Sequence, residues 1–217
     1  MPPGRGWRWV RLVMVAVVVV LLLRAFVVQS FSVPTGSMEP TIQPGDRLLA
    51  DRLVRGPSVH RGDVVVFDGR VSFGNQTDGT TVDRALRGLA SLVSIETGTD
   101  YVKRVIGLPG DHVVCCDTRG LLTVNGASVE EPYLFPGDAP SALTFDVTVP
   151  AGDIWVMGDH RSDSSDSRAY LGRPGGGMVR LDDVIGQATV RYWPLGRLGS
   201  LGGPGPLSTV VAPGAGH

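Results

Sequence analysis

From residue 47 onward the chain is a succession of short apolar runs cut by turn residues, and few folds accept that rhythm. Arg47 to Val54 follows Pro44-Gly45-Asp46, and Asp63 to Phe67 follows Arg61-Gly62. Tyr101 to Ile106 runs into Gly107-Leu108-Pro109-Gly110-Asp111, after which His112 to Cys116 resumes. Leu121 to Val124 meets Asn125-Gly126, a dipeptide that favours the left-handed dihedrals of a tight hairpin. Ile154 to Met157 and Val184 to Trp193 complete the set. Strands at this spacing predict a mainly β protein, a compact barrel or sandwich-like domain. The 30 glycines and 16 prolines agree with a turn-rich fold. One stretch departs from the rhythm: Val82, Leu86, Leu89 and Val93 recur at helical spacing, so one short helix is expected inside an insertion at 68–100. Packing is its expected role, ahead of a membrane-surface contact.

The N-terminus has a different character. Leu12 to Leu23 is an unbroken apolar run of 12 residues, interrupted at Arg24 and resumed by Ala25 to Val28. Leu12 through Val28 extends about 26 Å as a helix, against a hydrocarbon core of about 30 Å. That suffices for a single transmembrane helix if Arg24 snorkels to the outer interface. Arg5, Arg8 and Arg11 place the preceding side in the cytoplasm, and Trp7 and Trp9 sit where an aromatic belt belongs. A cleavable secretory signal has the same basic and apolar parts, but Phe26 to Phe31 offers no small-residue cleavage pattern. An uncleaved anchor is therefore the expectation. The organisation read here is a cytoplasmic segment at 1–9, an anchor at 10–28, an extracytoplasmic domain at 29–197, and a disordered Gly/Pro-rich tail at 198–217. A net charge of −1, with no basic tract beyond the N-terminus, excludes nucleic acid as a natural partner. Membrane lipid is the expected surroundings of the anchor.

Candidate chemistry begins with an oddity: Lys103 is the single lysine, the other 19 of the 20 basic residues being arginine. Arginine keeps its proton in a protein, whereas a buried lysine can be shifted far enough to act as a base. Lys103 lies in the apolar run Tyr101-Val102-Lys103-Arg104-Val105-Ile106, where Arg104 is expected to point the opposite way toward an acidic partner. The histidines at 60, 112, 160 and 217 accompany no nucleophile elbow and no zinc pattern, so they read as loop residues. No metal or organic cofactor is implied. Cys115 and Cys116 match no metal or redox spacing, and two reduced thiols on opposite faces of a strand are expected ahead of a vicinal disulfide. Among the serines, Ser37 stands in Val33-Pro34-Thr35-Gly36-Ser37-Met38-Glu39-Pro40-Thr41. Two prolines stiffen that loop and present the hydroxyl at a fixed angle, although an ordinary linking turn has the same composition. A serine needs a base, and Ser-Lys pairing is a known variant of triad logic.

With those residues in place, the chain resembles the type I signal peptidases, membrane-anchored serine proteases with a Ser-Lys dyad. The resemblance runs from the anchor to about Arg197 through ordered motifs: Thr35 to Thr41, Gly45 to Leu49, Arg61 to Phe67, Tyr101 to Asp111, and Gly158 to Arg168. It implies Ser37 as nucleophile and Lys103 as general base. It implies an oxyanion hole from the Ser37 N–H and the Thr35 hydroxyl, where the family usually has serine at position 35. Ser164 matches a serine that orients the lysine, and Asp166 with Arg168 matches a structural ion pair. Val33, Pro34, Met38, Ile42, Tyr101 and Val102 match the lining of pockets that admit small side chains. His160 stands where asparagine is frequent. The implied activity is cleavage of signal peptides from exported preproteins after A-x-A sites at the outer face of the plasma membrane. A membrane-anchored β module that only binds such partners, or a specialised relative maturing a narrow set of them, is the alternative.

Overall fold

The computed structural model describes residues 5–54, 56–74, 100–201 and 205–211, and within the first helix the side chains of 6–20. That helix, α1, spans Arg5–Phe26. Its apolar side chains from Val10 to Val20 are about half exposed, Leu12 at 60% and Val19 at 47%, so over those residues no face is buried. Among the described residues, no helix is long and apolar enough to cross a membrane. α1 stops at Phe26 because Val28 already pairs with Asp51 as the first residue of a strand.

The remainder is two antiparallel sheets. In the larger, β1 (Val28–Ser32), β2 (Arg47–Asp51), β11 (Val184–Trp193), β3 (Val64–Asp68), β4 (Asp100–Gly107), β9 (Asp153–Met157) and β10 (Val179–Arg180) follow in that spatial order. β12 (Gly199–Ser200) adds to β11. The smaller sheet orders β7 (Ala127–Val129), β6 (Leu122–Val124), β5 (His112–Cys115) and β8 (Phe145–Thr148). The Val64-Val65-Val66-Phe67 run is apolar at every position because both faces of β3 are buried. Val64 and Val66 pack with Phe31, Met38, Ile42 and Leu48, while Val65 and Phe67 pack with Val105, Ile154 and Val156. A third core joins the smaller sheet to Ile106, Trp155 and Met157. The mainly β expectation holds, and the Asn125-Gly126 hairpin forms, with Asn125 at φ 52° and Gly126 at φ 80°.

A short helix α2 (Gly69–Ser72) follows β3 directly, capped by the Asp68 carboxylate. The helix expected over 82–93 lies outside the described residues. The tail expected to be disordered from 198 is in part ordered. Leu207 is fully buried, and Arg61 and Asn125 donate to the carbonyls of Val210 and Val211. Two well-placed apolar side chains, Leu207 and Val210, complete the third core despite their Gly/Pro-rich setting. Cys115 and Cys116 also differ from expectation and form a disulfide with each other. β5 ends at Cys115, so strand alternation does not govern where Cys116 points.

Candidate active site

Ser37 sits at the tip of the loop joining β1 to β2. Val33 N–H donates to the Asp46 carbonyl and Gly45 N–H to the Val33 carbonyl, closing the base of the loop. Met38 and Ile42 insert into the core, with Met38 1% and Ile42 0% exposed, so the segment between them cannot swing. Ser37 itself is buried, and its carbonyl accepts from the His160 N–H at 3.2 Å.

Lys103 arrives from β4, opposite Val65 of β3. Its Nζ donates to Ser37 Oγ at 2.6 Å and to the Val102 carbonyl at 3.1 Å, and the side chain is 3% exposed. Burial pushes the ammonium down from its ordinary 10.5 to about 8. The carboxylates of Asp166 and Asp159 pull the other way and Arg168 reinforces the depression, but loss of solvent dominates. A group near 8 has a working fraction of free base at neutral pH and accepts a proton from a hydroxyl already in contact.

Arg104 points away from Lys103, as alternation requires. It forks onto Asp159 through Nε at 2.8 Å and Nη2 at 2.6 Å, and Asp159 also accepts from Thr41 Oγ1 at 2.5 Å. This ties β4, the Gly158 to Arg168 loop and the nucleophile loop to one carboxylate. Asp166 and Arg168 pair at 2.8 Å. Burial alone raises Asp166, yet the Arg168 hydrogen bonds and charge and the Gly158 N–H together hold its carboxyl below the usual range. Thr35 Oγ1 lies 3.5 Å from Ser37 Oγ. Ser164 Oγ is buried beside Gly158, and the hydrogen bonds of Lys103 go to Ser37 and Val102. Gly158 permits this crowding: a Cβ there would collide with Ser164 Oγ and the Ser37 carbonyl oxygen.

Of the expected pocket residues, Val33, Met38, Ile42 and Val102 share one apolar cluster. Tyr101 faces the other side of the sheet, stacked on Phe67 at 5.8 Å between ring centres, with Lys103 Nζ over its own ring. Pro34 is exposed. His160 contributes its backbone, while its ring stacks on Phe135 at 3.9 Å. Asp159, Arg161 and Glu131, all buried, were not anticipated from sequence. Acidic and basic residues are common along the chain, and only the fold shows which of them pair. Among the described residues, no cluster of His, Cys, Asp and Glu could hold a metal.

Ser37 and Lys103 thus meet in a buried contact within these motifs. The family described as "Signal peptidase, peptidase S26" matches residues 6–193. The chain belongs to that family. It is 34% identical to a probable signal peptidase I of Mycobacterium leprae, covering 90% of this chain and 79% of the relative. It is 36% identical to the signal peptidase I of Bacillus caldolyticus, covering 88% and 91%, and to that of Mycobacterium tuberculosis, covering 87% and 72%. As a member of the S26 peptidases, the chain is a serine endopeptidase, a hydrolase whose substrates are preproteins bearing signal peptides.

Proposed function

We propose that this S26 peptidase works by a Ser37–Lys103 dyad, held to the membrane by α1, and cuts after small residues in the A-x-A pattern. The observation that carries the dyad is the buried 2.6 Å contact between Lys103 Nζ and Ser37 Oγ. Neutral Lys103 takes the Ser37 proton as Oγ attacks the scissile carbonyl carbon. The tetrahedral oxyanion is received by the Ser37 N–H and the Thr35 hydroxyl. Collapse breaks the C–N bond, and Lys103 returns its proton to the departing amine. A water, deprotonated by the same lysine, then hydrolyses the acyl-enzyme. Ser164 packs against Gly158 and limits how far the dyad can shift, while Asp166 and Arg168 brace its loop.

Substrate selection follows from the edge of β4. Among the described strands, β9 pairs with β4 from Arg104 onward and does not pair with Tyr101 to Lys103. An extended peptide can lie along that edge with alternate side chains toward the loop, where the cluster of Val33, Met38, Ile42 and Val102 restricts bulk. The exposed apolar side chains of α1, continued through the sequence to Phe26, fit a single-pass anchor with residues 1–9 in the cytoplasm and the sheets at the outer face.

The test is cleavage of a preprotein with an A-x-A site by the full chain in detergent. Ser37→Ala, Lys103→Ala and Lys103→Arg should each abolish it. Undiminished cleavage by either lysine variant would remove Lys103 as the base, and cleavage insensitive to small-to-large changes at the A-x-A positions would remove the proposed specificity.

A further inference from the structure

We infer that Glu131 is a positioning residue for the Ser37–Lys103 pair, acting through Arg161 on the carbonyl of Gly158. The inference deepens the dyad reading and rests on it. Glu131 follows an edge strand of the smaller sheet, β7, yet its carboxylate reaches the active-site loop. It accepts from Arg161 Nη2 at 2.5 Å and Nη1 at 3.0 Å, with both side chains 2% exposed or less. Tyr133 Oη donates to the same carboxylate at 2.6 Å, and the ring of Tyr133 lies 4.1 Å from the Arg104 guanidinium.

Held in this way, Arg161 points Nε at the Gly158 carbonyl at 2.9 Å. Asp166 accepts from the Gly158 N–H at 2.9 Å, so the N–H and carbonyl of Gly158 are both gripped by charged side chains. Gly158 is also the residue on which Ser164 and the Ser37 carbonyl converge without room for a methyl group. The rest of the loop follows the same course. Phe135 N–H bonds the Asp159 carbonyl, Asp138 accepts from Ser162 N–H, and the Pro140 carbonyl accepts from Arg161 Nη1. The loop from Glu131 to Ser141 therefore acts as a strap from the smaller sheet, buckled by one ion pair.

Removing the buckle should affect charge as well as position. The charged groups facing Lys103 are Asp166, Asp159, Arg168 and Asp163. With Glu131 made neutral, the guanidinium of Arg161 is buried without its carboxylate, and Asp166 is an acid already within its electrostatic reach. An Asp166 drawn off toward Arg161 disfavours protonated Lys103, so the acid limb of the pH–rate profile should move to lower pH. A merely loosened loop would admit water and move the limb upward or leave it in place.

The experiment measures kcat, KM and the pH profile of preprotein cleavage by the full chain in detergent. Glu131→Gln should lower kcat about tenfold with little change in KM, and shift the acid limb down by about half a pH unit. The paired variant Glu131→Met with Arg161→Met removes both charges at similar volume and should fold. It should restore the limb while kcat stays low, because Gly158 has lost its donor. An unmoved or raised limb in Glu131→Gln, or wild-type kcat in the paired variant, overturns the inference. Lys103→Ala run in parallel separates the two readings: if it retains activity, the dyad fails independently of Glu131.

Discussion

A lysine buried with its proton should weaken the fold that holds it, and Lys103 allows the size of that effect to be worked out. Its folded value of about 8 lies below the ordinary 10.5. At 1.36 kcal/mol for each pKa step, protonated Lys103 costs about 3 kcal/mol of stability at pH 7. Below about 8 the lysine is charged in both states and the cost is constant. Between about 8 and 10.5 the unfolded chain binds the extra proton, so stability rises with pH until the cost vanishes. Lys103→Met keeps the length of the side chain and removes the titration. It forfeits the hydrogen bonds to Ser37 Oγ and the Val102 carbonyl, about 1 kcal/mol each and independent of pH over this range. Comparing denaturant unfolding of wild type and Lys103→Met at pH 7 and pH 10.5 isolates the titrating part. The advantage of the variant should shrink by about 3 kcal/mol between the two, while Ser37→Ala shows no such change. A difference that does not vary with pH would refute the claim that desolvation sets the basicity of Lys103.

With Lys103 as the proposed base, the same value should govern rate. A base near 8 is about 9% neutral at pH 7 and about 90% neutral at pH 9, so kcat/KM should rise about tenfold over that interval. An unperturbed lysine would give about a hundredfold and a histidine near 6.5 almost none, so a stopped assay at the two pH values discriminates among them. At the proposed oxyanion hole, Thr35→Val removes the hydroxyl 3.5 Å from Ser37 Oγ and should cost about 3 kcal/mol of barrier, while Thr35→Ser stays near wild type. Equal kcat for the Val and Ser variants would exclude a role for that hydroxyl.

The features that sequence reading captured are those encoded locally. Gly107 to Asp111 and Asn125-Gly126 are turns because their own backbones demand it, so β4, β5 and β6 were bounded to within a few residues. The Ser37 and Lys103 pairing was accessible because a lone lysine and a proline-stiffened serine are chemically unusual. β1 was missed because Val28 to Ser32 continues the apolar character of α1, and only the pairing with β2 separates them. Glu131 and Arg161 are ordinary charged residues, 30 positions apart, and burial alone makes them informative. Leu207 was hidden for the converse reason: composition measures an average, and a single side chain filled the core.

One junction has a mechanical consequence. Only Val27 stands between the end of α1 and the start of β1, and its carbonyl is bonded to the Arg52 N–H at 2.9 Å. β1 then pairs along its whole length with β2, which leads back from the nucleophile loop. With α1 in the bilayer, this connection is a fixed-height spacer of about 17 Å rather than a leash. Ser37 would then stand at a set elevation above the lipid, and a substrate's cleavage site would have to lie that far from its own apolar segment. The enzyme would select by distance as well as by side-chain size. The molecule would carry its own ruler.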